Sequence, residues 1–186
     1  MKLKSYKIKD ARVSLYFEGE RHTVSLSLFD SLGLFRGSFV DDEMLSKIIE
    51  DEKEYLAMKK ALSLLSFADN SARALGDKLR RAGFSRELSE RVVEECVARG
   101  YIDEERQITR LALIEANTHY RGKRYIIAKL ARRGYSPSTV SLVIDALADN
   151  GEIDFKRSLE ALTKKLGVSS PEEIRQIAYK YGFVNE

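Results

Sequence analysis

Six cations, Arg121, Lys123, Arg124, Lys129, Arg132 and Arg133, fall between Ala116 and Ile144, a stretch that holds no carboxylate. A run of fixed positive charge attracts phosphates or acidic protein surfaces and performs no covalent step itself. Residue types that do covalent or metal chemistry are scarce. One cysteine, Cys96, and two histidines, His22 and His119, make up the set. They form no spacing suited to zinc. Cys96 lies at helical spacing from Val92 with no cation placed to activate it, so it reads as a buried, inert thiol. There is no glycine-rich phosphate loop and no nucleophile–base pairing to inspect. The sequence predicts no catalytic site, no cofactor and no metal. The run of cations is open to two readings, a contact for an anionic partner or a solvated helix face.

A helix must position those cations. On a wheel of 3.6 residues per turn, Ile126, Ile127 and Leu130 form a buried stripe, and Arg124, Lys129 and Arg132 point the other way with Tyr125 among them. Stepping back 51 residues reaches Arg73, Lys78 and Arg81, basic at all three places. Arg80, Arg121, Lys123 and Arg133 add charge at the flanks, and Asp77 dilutes the first copy. Cations in a last helical turn also oppose the helix macrodipole, which accounts for an Arg-Arg pair before a glycine. It does not account for the acid-free stretch.

The offset belongs to an internal repeat. Lys78-Leu79-Arg80-Arg81-Ala82-Gly83-Phe84 returns as Lys129-Leu130-Ala131-Arg132-Arg133-Gly134-Tyr135, and in weaker form as Ile177 to Phe183. Each copy reads as the last turn of a helix, closed by a glycine in the left-handed conformation with an aromatic folding back behind it. Leu62 matches Leu113, Arg73 matches Arg124, Val92 matches Val143, and Gly100–Asp103 matches Gly151–Asp154. A period near 50 residues predicts tandem three-helix units, longer than tetratricopeptide or ankyrin units. In repeat one the first helix is expected to start at an Asp51-x-x-Glu54 capping box, with Met58, Ala61, Leu62 and Leu65 as its apolar positions. The second is capped by Ser71, and the third by Ser85 with Leu88, Val92, Val93, Cys96 and Val97 inward. In repeat two the starts are Asp103, about Lys123, and Ser136-Pro137. In repeat three they are about Phe155 and Ser170-Pro171, with a proline where its missing N–H costs nothing. The basic face largely fails there, its equivalents being Glu172, Ile177 and Lys180. A third helix has no room before Glu186. Ile174, Ile177, Ala178, Tyr181 and Phe183 must then pack on the helix carrying Leu159 and Leu162, pack on repeat two, or stay exposed. The last helix is expected to be loosely packed and to share in partner binding.

The first forty residues differ. Arg12–Phe17 and His22–Phe29 alternate β-favouring and polar residues about a Glu18–Arg21 turn and predict a β-hairpin, its Val13, Leu15 and Phe17 face leaning on a neighbour. Residues 31–40 read as a loop or short strand, and Asp41 caps a short acidic helix to about Glu50. The expected division is 1–50 for the hairpin and short helix, 51–102 and 103–153 for complete repeats, and 154–186 for a two-helix remnant. The class is mainly α with a small β element.

Among the 186 residues the net charge is only +3, unevenly spread. Residues 106–156 carry nine bases and five acids, whereas residues 1–56 carry nine and eleven. No apolar run is long enough to span a membrane and no secretory leader is visible, which predicts a cytoplasmic protein.

With the repeats aligned, the chain resembles the RecX family of bacterial recombination regulators. The resemblance rests on Ala61-Leu62-x-x-Leu65, Lys78-Leu79-x-x-x-Gly83-Phe84, Gly100-x-Ile102-Asp103-Glu104, Arg121-Gly122-Lys123-Arg124 and Lys129-Leu130-x-x-x-Gly134-Tyr135, in order, across about residues 52–183. The preceding hairpin is similar to the amino-terminal extension of many members. Ser71-Ala-Arg-Ala74 departs from the pattern in lacking the acid that the family carries near the start of that helix. The resemblance implies tandem three-helix units in an elongated, curved monomer. It implies binding to the RecA–DNA filament along its helical groove, slowing recombinase, ATPase and coprotease activity with no chemistry of its own. Naked single- or double-stranded DNA is a second candidate ligand. The competing reading is a helix-turn-helix DNA-binding regulator. Against it, the third helix of repeat one carries Glu87, Glu90, Glu94 and Glu95, and that of repeat two has no Arg or Asn suited to base contacts.

Overall fold

The computed structural model describes residues 1–183. In chain order these are strands β1 (Ser5–Lys9), β2 (Arg12–Tyr16) and β3 (Arg21–Ser25), then helices α1 (Leu26–Ser31), α2 (Asp42–Phe67), α3 (Ala72–Arg81), α4 (Arg86–Ala98) and α5 (Glu104–Leu113). A π-helical turn (Ile114–Thr118) follows, and then α6 (Lys123–Arg132), α7 (Pro137–Asp149), α8 (Phe155–Leu166) and α9 (Pro171–Tyr181). The protein is therefore mainly helical with one small antiparallel sheet. The chain forms two compact units, Met1–Ser66 with Lys78–Val93, and Phe67–Asp77 with the residues from Glu94 onward. The expected end of repeat three at Glu186 lies outside the described residues.

In the first unit the sheet has three strands, in the order β1-β2-β3, rather than the two of a hairpin. Val13, Leu15 and Phe17 are buried as expected, packed with Val24, Phe29, Leu34, Val40 and Ile48. β1 escaped the sequence pattern because all five of its residues are exposed, so it shows no buried face. It turns into β2 through Asp10, whose φ of 53° suits a tight two-residue turn. The second predicted strand stops four residues early. Leu26, Leu28 and Phe29 do face the core, but from a helix, because the Ser25 hydroxyl accepts the Leu28 N–H and starts α1. The 31–40 segment settles as a loop with a single bridge between Lys2 and Phe39.

A larger correction concerns α2. It is one continuous helix of 26 residues, where the sequence suggested a break at Asp51. Asp51 caps nothing within that helix. Its carboxylate instead accepts the Ser25 N–H at 2.8 Å and the Ser25 hydroxyl at 2.7 Å, and pairs with Arg12 at 2.8 Å. Glu52 accepts the Thr23 N–H at 2.9 Å and meets His22 at 2.7 Å. Asp51, read from the sequence as a helix start, and Glu52 beside it thus seal the open edge of β3.

In the second unit the main core is drawn from Ile108, Ala112, Ile126, Leu130, Tyr135, Val140, Ile144, Leu147 and Ile153. Each large aliphatic side chain here contributes about 1.5–3 kcal/mol by burial. Asp103 and Asp154 cap α5 and α8 at equivalent places by accepting the N–H groups of Arg106 and Arg157. The hydroxyls of Ser136 and Ser170 make no such bond, and only the prolines behind them mark the starts of α7 and α9. Val97, expected inward on α4, is 47% exposed. A second cluster joins Leu162, Ala178 and Phe183 with Tyr120, Phe155, Leu159, Ile177 and Tyr181. The apolar face of α9 therefore finds cover on α8.

Candidate functional site

The start of α6 is where charge and aromatic surface meet. Gly122, its N-cap, offers no side chain to satisfy the first N–H groups of the helix. The carboxyl end of α9 satisfies them instead. The Gly122 N–H donates to the Tyr181 carbonyl at 2.9 Å, and the Arg124 N–H to the Gly182 carbonyl at 3.1 Å. The approach leaves no room for side chains on either part, since a Cβ on Gly122 would overlap the Gly182–Phe183 backbone. One on Gly182, which is left-handed at φ 83°, would overlap Tyr125. The negative end of one helix dipole meets the positive end of another.

This docking orders two arginines. Arg121 lies between the rings of Tyr125 and Tyr181, at 4.7 and 4.6 Å from their centroids. Arg124 lies 4.5 Å from the Tyr179 ring and donates to the Tyr179 carbonyl at 3.0 Å. Such cation–π contacts hold a guanidinium in place while leaving its charge intact. Tyr179 is 72% exposed, so the Arg124–Tyr179 pair faces outward. Tyr125 was visible in the sequence beside these cations. Tyr179 and Tyr181 were not, because they come from a repeat whose own basic pattern has decayed.

The other cations of α6 separate into two kinds. Lys123 pairs with Asp145 at 2.5 Å, and Lys129 with Glu115 at 2.7 Å. Those two acids bracket the acid-free stretch in sequence, and the fold returns both to it. Glu115 is buried and lies in the π-helical turn, where the His119 N–H reaches the Ile114 carbonyl at 3.2 Å. Lys129 therefore does not stand on the outward face the wheel predicted. Arg132 and Arg133 are exposed, the former bonding only the Ala128 carbonyl within its own helix, at 3.3 Å. The outward cationic set is Arg124, Arg132 and Arg133, with Arg121 half-buried against its two rings.

At its other end α6 repeats the docking. The Arg133 carbonyl accepts the Ser71 hydroxyl at 2.9 Å, and the same hydroxyl accepts the Ala74 N–H at 3.1 Å. Glu104 accepts the Ala72 N–H at 2.7 Å, so α3 receives from α5 the acid that its own first turn lacks. Tyr135 behind the glycine is 3% exposed and donates to Gln107 at 2.7 Å. Its phenol is pushed above its ordinary pKa by burial first, and then by Asp69 and Glu104. On α3, Arg73, Lys78, Arg80 and Arg81 are all exposed. Arg73 belongs to the second compact unit and the other three to the first, whereas the α6 cations lie wholly in the second. Burial, with Glu95 nearby, raises the Cys96 thiol pKa, which fits the inert role read from the sequence.

These features define a class, a protein built from helical repeats that carries fixed cations on ordered helix faces. Comparison with known proteins narrows it. Residues 57–96 match the family model described as RecX, first three-helix domain. A Regulatory protein RecX of Trichlorobacter lovleyi is 34% identical over 107 residues, covering 56% of this chain and 67% of that protein. One of Clostridioides difficile is 24% identical over 180 residues, covering 96% and 84%. A crystal structure of regulatory protein RecX shares the fold, with a TM-score of 0.76 at 17% identity, covering all of this chain and 96% of the other. The chain belongs to the RecX family. Among the described residues no helix is long and apolar enough to cross a membrane.

Proposed function

We propose that this protein binds the RecA–DNA filament along its helical groove and slows the recombinase, ATPase and coprotease activities of RecA. It does so in the cytoplasm as a monomer, by occupying the groove and without chemistry of its own. Family membership supports the choice of partner. The observation that carries the reading is the aromatic-held pair Arg121 and Arg124, continued along α6 by Arg132 and Arg133. Cations held in place lose little conformational freedom when an anionic surface arrives, so more of the Coulomb attraction survives as affinity. Arg73, Lys78, Arg80 and Arg81 supply a second, weaker set, weaker because Asp77 shares their helix and Glu87, Glu90 and Glu94 are exposed on the next.

Co-sedimentation with RecA filaments on single-stranded DNA tests this reading, with RecA alone, the single strand alone and a duplex as controls. Retention by the filament beyond all three controls is the expected result. Equal retention by sequence-matched duplex alone would transfer the reading to a DNA-binding regulator.

A further inference from the structure

We propose that the outer edge of β1 is a docking site for an extended, acidic segment of a protein partner, which adds to the sheet as a fourth strand. The inference is independent of the filament reading, since it concerns a different element and a different chemistry. It begins from the two edges of the sheet. The edge of β3 is closed, with the Thr23 and Ser25 N–H groups given to the carboxylates of α2. Because outward and inward amides alternate along an antiparallel ladder, β3 must bond β2 through His22 and Val24. Their partners on β2 are Leu15 and Val13. Arg12, Ser14 and Tyr16 then face β1, where they oppose Lys9, Lys7 and Ser5. The amides of Tyr6 and Ile8 are left pointing outward, on a strand exposed at every residue. One edge is sealed and the other presents two donor–acceptor pairs at strand spacing.

The side chains specify what such a guest carries. Met1–Lys9 holds four lysines and no acid. Lys4 is paired with Glu18, while Lys7 and Lys9 lie together on one face of the strand. On the other face are Tyr6 and Ile8, 40% and 51% exposed, with the Tyr6 ring tilted against Phe29 at 4.8 Å. A guest strand with acids on one face and small apolar residues on the other complements both. A second copy of this edge does not fit, because lysine would face lysine, which is how edge strands deter self-pairing.

The test uses the full chain, isotope-labelled, and an acetylated nonapeptide alternating glutamate with valine. The controls are its lysine–valine counterpart and an oligothymidylate of similar length. The expected result is that the acidic peptide alone slows amide exchange at Tyr6 and Ile8. Ile8→Pro, which removes one outward donor, should then raise the dissociation constant by about tenfold. Unchanged Val13 and Leu15 signals verify the fold of that variant. Lys7→Glu combined with Lys9→Glu should weaken binding by a similar factor without touching the amides. The proposal is overturned if Tyr6 and Ile8 gain no protection, or if the lysine peptide binds equally. It is also overturned if the oligothymidylate protects the same amides.

Discussion

Helices α3 and α6 close on related stretches, Lys78–Phe84 and Lys129–Tyr135, and their glycines adopt nearly the same conformation, φ 95° at Gly83 and 96° at Gly134. Their surroundings differ. A Cβ on Gly83 would meet nothing within 4 Å, whereas one on Gly134 would strike the Ser71 hydroxyl and crowd Ala74. The glycine signature therefore serves two ends. At Gly83 it only permits the left-handed turn that closes a helix. At Gly134, and again at Gly182, it also permits the helix end to rest on the start of an earlier helix, Ser71 in one case and Gly122 in the other. A repeat can keep its sequence while its joints acquire different work. The second joint is the one that orders Arg121 and Arg124.

Valine substitutions break this comparison most directly. Gly134→Val should cost about 3 kcal/mol or more, because strain at positive φ adds to overlap with Ser71. Gly83→Val should cost only the strain, about 1–2 kcal/mol. Urea unfolding of both variants measures the gap, and equal losses would dissolve the distinction between a docked and an open end.

A smaller effect sharpens the contrast between the two copies. Lys129→Ala leaves the buried Glu115 carboxylate without its cation and should destabilise by about 2 kcal/mol. The first copy has Leu64 where the second has Glu115, and Lys78 is exposed, so Lys78→Ala should cost less, about 1 kcal/mol or below. Thermal melts of the two variants compare them. A loss at Lys78 as large as that at Lys129 would mean that Glu115 is not what distinguishes the copies.

Much of the helical architecture was legible because its signals are local. Serine and aspartate caps at Ser71, Ser85 and Asp103, the glycine stops and the apolar periodicity all lie within a few residues of the structure they specify. The sheet was only half legible. β1 buries nothing, and α1 shares its alternating apolar residues with the strand before it. The break assigned at Asp51 failed because that carboxylate caps the edge of the sheet instead of a helix start, with Glu52 beside it. On the basic face, the cations could be read and the side chains they pair with could not. Arg124 meets Tyr179 across 55 residues and Lys123 meets Asp145 across 22, separations at which periodicity carries no information. The acid-free stretch was accurate as sequence and incomplete as electrostatics.

The proposal is that exposed Arg124 and Arg132, and not the paired Lys123 and Lys129, meet the partner. It is tested most directly by the salt dependence of filament binding for the chain carrying Arg124→Glu and Arg132→Glu together. Both side chains are exposed, so the fold should be kept while affinity falls and the slope against salt concentration flattens. The equivalent pair, Arg73→Glu and Arg81→Glu, should do less. Binding by the Arg124 and Arg132 variant that matches the unaltered chain at both low and high salt would contradict the account.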